Sequence, residues 1–171
     1  LLSAKCPLIH VGQGVLYAEA TAELLEFAEL VQAPVMTTTL AKGAFPENHP
    51  LSIGTGGNTG TKMVGHFFKE ADLVFSIGAS MSKTLMSAPI PPGKVAVQCT
   101  VDEKDINSEY QVDYPVIGDA RLVLRQLIEE VKRQAGRKLP RQREELVGEI
   151  KAIRASWLEE WMPKLTSNEV P

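Results

Sequence analysis

Short uninterrupted apolar runs alternate along this chain with longer stretches in which apolar residues recur every three or four positions. The runs Cys6–Gly12, Asp72–Gly78 and Lys94–Asp102 are typical of strands buried on both faces of a parallel sheet. The segment Ala33–Thr39, rich in β-branched residues, and the short segment Tyr114–Asp119 predict two further strands.

Three segments carry apolar residues at the spacing of one helix face, namely Tyr17–Ala33, Thr61–Ala71 and Ala120–Gln134. Asp119 is placed to cap the third helix at its start, and Gly136 is placed to end it. The residues that form the three stripes are Ala20, Leu24, Phe27, Ala28 and Val31; Val64, Phe67, Phe68 and Ala71; and Val123, Leu127 and Val131.

The alternation of strands and helices predicts an α/β fold: a three-layer, Rossmann-like open parallel sheet of about five to six strands with helices on both faces. We expect this domain to span residues 1–136. Ligands of such sheets bind beyond the carboxyl ends of the strands. Those ends are predicted at Gly12–Gly14, Thr37–Thr39, Gly78–Ser80 and Thr100–Asp102.

Residues 137–171 are predicted to form a helical tail followed by a linker. One face of the tail helix carries Leu146, Ile150, Ile153, Trp157 and Trp161. This stripe predicts either that the helix folds back on its own domain or that it docks on a partner domain or subunit.

Between the second predicted strand and the next helix lies a stretch rich in glycine and threonine, Thr37–Thr61, which we interpret as an irregular loop. Long loops inside compact domains are uncommon and usually functional. A second irregular loop, Ala79–Gly93, contains three prolines.

The composition argues against several classes of function. The formal net charge is −3 and no basic patch is present, which argues against nucleic-acid binding. No apolar run reaches the roughly 18 residues of a membrane span, and the first residues lack the pattern of a signal peptide, so we expect a cytoplasmic protein. Cys6 and Cys99 are interpreted as two buried thiols, with a disulfide as the alternative.

Few residues of the sequence suggest a particular binding or catalytic site. The Gly12–Gly14 segment matches the first half of a dinucleotide fingerprint, but Tyr17 stands where the third glycine belongs. The two glycines therefore indicate either a tight strand-to-helix turn or a turn whose N–H groups bind phosphate. His10, His49 and His66 have no metal-binding spacing. No catalytic constellation and no metal site is predicted.

Four segments together resemble the central domain of thiamine-diphosphate-dependent enzymes of the acetolactate synthase and 2-oxo acid decarboxylase type. They are PLIHVGQGV, APVMTTTLAKGAFPENHPLSIGTGGNTGT, ADLVFSIGA and VDEKDI with VIGDA. The resemblance implies that the chain is the middle of three α/β domains and that it pairs with N-terminal and C-terminal domains of the same polypeptide in a homo-oligomer. It also implies that thiamine diphosphate and Mg2+ are held by those other two domains, since no Gly-Asp-Gly motif is present here.

In some members of this family the central domain binds FAD or ADP, and in others it binds no cofactor. Carried over by position, the cofactor-binding candidates are Gly12, Gln13, Gly14, Thr38, Thr39, Leu40, Asn58, Thr59, Gly60, Gly78, Ala79, Asp102 and Asp119. The FAD-binding members have two arginines after the third predicted strand, where this chain has Ala79–Thr84 and only Lys83 as a cation. Serine and threonine do not replace the bidentate fork of arginine, which argues against FAD.

These observations leave two hypotheses. The first is the central domain of a thiamine-diphosphate enzyme, either architectural or nucleotide-binding. The second is a free-standing nucleotide-binding module of the FAD, ADP or NAD type without thiamine chemistry.

Overall fold

A computed structural model describes residues 1–57, 60–84, 87–135 and 144–167. It contains a six-stranded parallel sheet, which confirms the predicted fold class. The strands are β1 (Pro7–Val11), β2 (Val35–Thr37), β3 (Ser52–Thr55), β4 (Leu73–Ile77), β5 (Val95–Thr100) and β6 (Tyr114–Ile117). Their order across the sheet is β3-β2-β1-β4-β5-β6, so the direction of winding reverses between β1 and β4.

The helices are α1 (Gly14–Tyr17), α2 (Thr21–Val31), α3 (Lys62–Glu70), α4 (Ala120–Ala135) and α5 (Glu144–Leu165). The predicted helix Tyr17–Ala33 is divided, because Glu19 has a φ of 50° and α2 begins only at Thr21. Asp119 caps α4 as predicted, since its Oδ1 accepts the N–H groups of Arg121 and Leu122 at 3.0 and 3.1 Å. Gly136 lies outside the described residues.

Successive strand residues point to opposite faces of the sheet, and each face has its own helical layer. On one face, Ile9 and Phe75 pack with α2 and α4. These two helices are also joined by the buried Glu23, whose Oε1 accepts from Arg121 Nε at 2.8 Å and Arg125 Nε at 3.0 Å.

On the other face, Leu8 and Val74 pack with α3 and α5. Ile150 of α5 is fully buried in this layer, and Leu146, Ile153 and Trp157 pack beside it. Four of the five residues of the predicted stripe therefore contact their own domain, as the first of the two alternatives expected, whereas Trp161 is 39% exposed. The division of the chain at residue 136 stays a prediction.

Two expectations are wrong. The stretch Thr37–Thr61 is not wholly irregular, because it contains a 3-10 turn at Thr39–Ala41 and the edge strand β3, which pairs with β2. Cys6 is exposed and only Cys99 is buried, and neither forms a disulfide. Cys6 precedes β1 where the chain enters the sheet, and its N–H donates to Asp72 Oδ1 at 2.9 Å.

Candidate functional site

A cleft of about 310 Å3 opens beyond the carboxyl ends of β1, β2 and β4, at the point where the winding of the sheet reverses. Eight of the thirteen candidate residues line it: Gly12, Gln13, Gly14, Thr38, Thr39, Leu40, Gly78 and Ala79. The topology brings them together because parallel strands end at the same edge of the sheet. Whether they bind a ligand stays a prediction.

The remaining candidates lie elsewhere. Asp119 is occupied as the cap of α4, and Asp102 Oδ1 accepts the N–H of Lys104 at 3.0 Å. Gly60 closes a turn in which its N–H donates to Gly57 O at 2.9 Å. None of these three lines the cleft. Asn58 and Thr59 lie outside the described residues.

The glycines of the turn after β1 allow this turn to pack closely against the turn after β4. A Cβ on Gly12 would lie 2.2 Å from Gly78 O, and a Cβ on Gly14 would lie 2.7 Å from Gly78 Cα. Gly78 itself has a φ of 63°, a conformation that favours glycine. The turns after β1 and β4 thus touch backbone to backbone, which no larger residue permits.

The same contact occupies two of the N–H groups that a phosphate could use. Gly12 N donates to Ile77 O and Gly14 N donates to Gly78 O, both at 2.8 Å. Val15 N and Leu16 N are bonded within the short α1 turn. Of the two interpretations of the Gly-Gln-Gly segment, the geometry supports the tight turn.

The side chains of the cleft are mostly uncharged. Its described lining contains no lysine or arginine, and Asp105 is its acidic residue. Lys83 lies next to the cleft in sequence, but its Nζ sits 4.6 Å from the centre of the Tyr110 ring. Lys83 lines a neighbouring open groove of about 930 Å3 and is not part of the cleft lining, whereas Tyr110 lines both the groove and the cleft.

His10 is the titratable group at the floor of the cleft. It is 6% exposed, and its Nδ1 lies 3.0 Å from the buried Ser76 Oγ on β4. Burial lowers the pKa of His10 to about 4, so the ring is neutral at pH 7. No functional role for His10 is indicated by the sequence, because an isolated histidine in a strand carries no spacing signal.

A row of buried polar residues crosses the centre of the sheet at this level, since His10 pairs with Ser76 and Ser76 pairs with Gln98. Gln98 is fully buried; its Nε2 donates to Ala79 O at 3.0 Å, and its Oε1 has no hydrogen-bond partner in the described structure. The bond to Ala79 holds the start of the loop after β4 against the sheet.

The cleft is a poor match for a diphosphate-bearing nucleotide such as FAD or ADP. Such a ligand is held by cations, which the described lining of the cleft lacks, and by unoccupied backbone donors, of which Gly12 and Gly14 supply none. The described residues also contain no group of histidine, cysteine and acidic side chains able to hold a metal ion. None of the described helices is long and apolar enough to cross a membrane.

Comparisons with known proteins agree with the architecture. The family model "Thiamine pyrophosphate enzyme, central domain" matches residues 1–127. The acetolactate synthase large subunit of Corynebacterium glutamicum is 37% identical over 132 residues, which cover 75% of this chain and 21% of that protein. A protein of Methanococcus aeolicus, described as a probable acetolactate synthase large subunit, is 36% identical over 133 residues, or 77% of this chain and 22% of the relative.

A solved structure gives the same answer. A proposed thiamin diphosphate-dependent enzyme from Mycobacterium smegmatis superimposes with a TM-score of 0.62 at 31% identity, over 74% of this chain and 25% of that one. The chain spans about a fifth of the length of the curated relatives it matches. The free-standing nucleotide-binding module is not favoured by these matches. The chain belongs to the family of thiamine pyrophosphate enzyme central domains.

Proposed function

We propose that this chain is the central domain of a thiamine-diphosphate- and Mg2+-dependent enzyme that acts on 2-oxo acids or related acyl compounds, as an acetolactate synthase does. The observation that carries this proposal is the family match over residues 1–127 in a chain that spans about a fifth of its relatives. Thiamine diphosphate, when bound, stabilises the carbanion that forms on the acyl carbon of the substrate.

Within such an enzyme we assign this domain an architectural role. Its described residues contain no metal-binding group, and neither of its cysteines is paired with a base or a metal. The N-terminal and C-terminal domains of the same polypeptide are proposed as its partners, in a cytoplasmic homo-oligomer, and they would supply the groups that hold the cofactor. The contribution of this chain is then to fix the positions of those domains.

The test is an activity assay on the protein expressed from its natural gene. Pyruvate, thiamine diphosphate and Mg2+ should give acetolactate and carbon dioxide, and omission of the cofactor or addition of a chelator should abolish the product. Mass spectrometry of the product identifies the acyl acceptor. A protein that neither binds thiamine diphosphate in a titration nor consumes any 2-oxo acid would contradict the proposal.

A further inference from the structure

The last two turns of α5 carry apolar side chains that the domain leaves exposed. Trp161, Met162 and Leu165 follow Leu158 at three, four and seven positions, so the four residues share one face of the helix. They are between 38% and 66% exposed. We name this set the terminal stripe. A contiguous exposed apolar surface of this kind marks a contact with another body.

The terminal stripe does not continue the face by which α5 packs on its own domain. An α-helix turns by about 100° per residue, and on that count the terminal stripe is centred about 100° around the helix axis from the buried face. The residues of the buried face are Leu146, Ile150, Ile153 and Trp157. The two faces therefore point to two different neighbours.

Charged side chains occupy the positions that do continue the buried face. They are Glu160 and Lys164, which follow Trp157 by three and seven residues. Glu160 Oε2 lies 2.6 Å from Lys62 Nζ at the start of α3, and Lys164 Nζ lies 3.7 Å from Glu160 Oε1. Ion pairs thus replace apolar packing on the side of α3, and the terminal stripe faces a direction that α3 does not cover.

The terminal stripe lies at the carboxyl edge of the sheet. Because α3 connects two parallel strands, it starts at that edge and runs back across the sheet from Lys62. His66, one turn further along α3, contacts Glu149, whereas Lys62 contacts Glu160. It follows that α5 runs antiparallel to α3 and ends at the edge where the parallel strands also end.

The size of the terminal stripe argues against a second copy of the chain as its occupant. A stable interface between separate molecules takes roughly 20–30 residues from each partner, and the terminal stripe has only four. A segment of the same polypeptide needs far less surface, because the tether holds it at an effective concentration in the millimolar range. A small apolar surface therefore suits an intramolecular contact.

The relatives point to such a segment. The family model describes a central domain and ends at residue 127, and the chain covers only 22% of the relative from Methanococcus aeolicus. The helix α5 (Glu144–Leu165) follows the matched region. In a polypeptide with this architecture, the sequence after α5 leads into the next domain.

Trp161 is prepared for such a contact. Its ring centroid lies 6.4 Å from that of Trp157, and Lys164 Nζ lies 4.4 Å from the centre of the Trp161 ring. A side chain that its neighbours already hold loses less conformational entropy when a partner covers it.

We propose that the terminal stripe docks on an apolar patch of the domain that follows it in the polypeptide. The contact fixes that domain at the carboxyl edge of this sheet. This inference rests on the place proposed above for the chain, as the central domain of a longer enzyme.

The test is hydrogen–deuterium exchange with mass spectrometry on the protein expressed from its natural gene. Met162→Gln combined with Leu165→Gln removes apolar surface and keeps good helix formers. The amides of residues 158–165 should exchange about tenfold faster, or more, because the docked state loses two apolar contacts. One segment of the following domain should also exchange faster, since each surface protects the other.

The matched control is Leu122→Gln. Leu122 is 57% exposed on α4, which packs on the opposite face of the sheet from α5. The substitution makes the same chemical change outside the terminal stripe. It should alter exchange neither in residues 158–165 nor in the following domain.

Three outcomes would overturn the proposal. Exchange that is unchanged in the double variant would mean that nothing covers the terminal stripe. Faster exchange confined to residues 158–165 would mean that these side chains support only their own helix. A smaller oligomer in sedimentation velocity, with the following domain unaffected, would assign the terminal stripe to a second copy.

The exchange measurement needs neither cofactor nor substrate, so it is independent of the thiamine chemistry. Acetolactate formation by the wild type is measured separately. Normal activity with unchanged exchange in the double variant would contradict the docking alone. The expected exchange pattern in a protein without thiamine chemistry would contradict the proposed reaction alone.

Discussion

At the scale of single residues, the glycines of this domain differ sharply in what surrounds them. Gly12 faces the backbone of Gly78 and Ala79 at 2.2 and 2.4 Å from its ideal Cβ position, whereas Gly65, exposed in α3, has nothing within 4 Å. The sequence placed Gly12 at a turn but did not reveal its neighbour across the sheet. Only the pairing of β1 with β4 explains why no side chain fits there.

Alanine at these two positions should therefore have opposite effects. Gly12→Ala forces two backbone segments apart and is expected to lower the free energy of unfolding by about 2 kcal/mol or more. Gly65→Ala adds a methyl group to an exposed helix position and should raise it by about 0.5–1 kcal/mol. Urea unfolding followed by circular dichroism measures both, and a neutral Gly12→Ala would contradict the close contact of the two turns.

His10 links stability to pH. Burial lowers its pKa in the folded protein to about 4, and the pKa of an unfolded histidine is about 6.5. Between these values the unfolded chain binds a proton that the folded chain does not, so stability falls as the pH drops from 6.5 towards 4. Over this pH range the free energy of unfolding is expected to fall by about 3 kcal/mol in total.

The experiment compares the wild type with His10→Gln, which can still hydrogen-bond Ser76 but does not titrate. Unfolding free energies are measured for both at pH 7 and at pH 4. The wild type should lose about 3 kcal/mol more than the variant between the two pH values. Contributions of other titrating groups cancel in this difference. Equal losses in the two proteins would show that protonation of His10 does not destabilise the folded state.

At the scale of elements, α5 illustrates an ambiguity that packing resolves. An apolar stripe on a helix indicates that one face of the helix is buried, but it does not identify the element that buries it. Here α3 and the sheet cover it, with Ile150 fully buried. An ion pair and a hydrogen bond add to the contact: Lys62 Nζ lies 2.6 Å from Glu160 Oε2, and His66 Nε2 lies 2.7 Å from Glu149 Oε1.

Truncation of α5 side chains tests this docking. Ile150→Ala should lower the free energy of unfolding by about 2–4 kcal/mol, because it leaves a cavity in the layer between α3 and α5. Leu158→Ala removes side-chain volume of the same size at a position that is 38% exposed and should cost less than about 1 kcal/mol. Equal, small effects of both changes would mean that α5 does not pack on the domain.

Strand β3 was missed for a local reason. It has four residues, and one of them, Gly54, has a φ of 93°. Neither an apolar run nor a period-two alternation of useful length is present, so sequence pattern alone gives no strand signal. Pairing with β2 creates the strand, through a register irregularity between Val35 and Met36. Tertiary hydrogen bonding here prevails over a weak local preference.

At the scale of the whole molecule, the lost arginines and the structure of the cleft point in the same direction. The sequence shows that the segment after β4 lacks arginine, and the structure adds that Lys83 lies over Tyr110 in a neighbouring groove. It adds also that Gly12 and Gly14, in the turn after β1, donate their N–H groups to Ile77 O and Gly78 O. The described lining of the cleft thus lacks cations that could pair with a diphosphate, and whether the cleft binds a nucleotide stays a prediction.

The amino-acid pattern by itself determined the fold class, five of the six strands, the cap of α4 and the family, because these follow from periodicity and from short local motifs. Tertiary structure alone decided which loops meet at the cleft, that Asp102, Asp119 and Gly60 do not line it, and that Cys6 is exposed. It also decided the charge of the cleft and the partner of α5. These properties depend on contacts between residues far apart in the chain, and no local pattern encodes such distances.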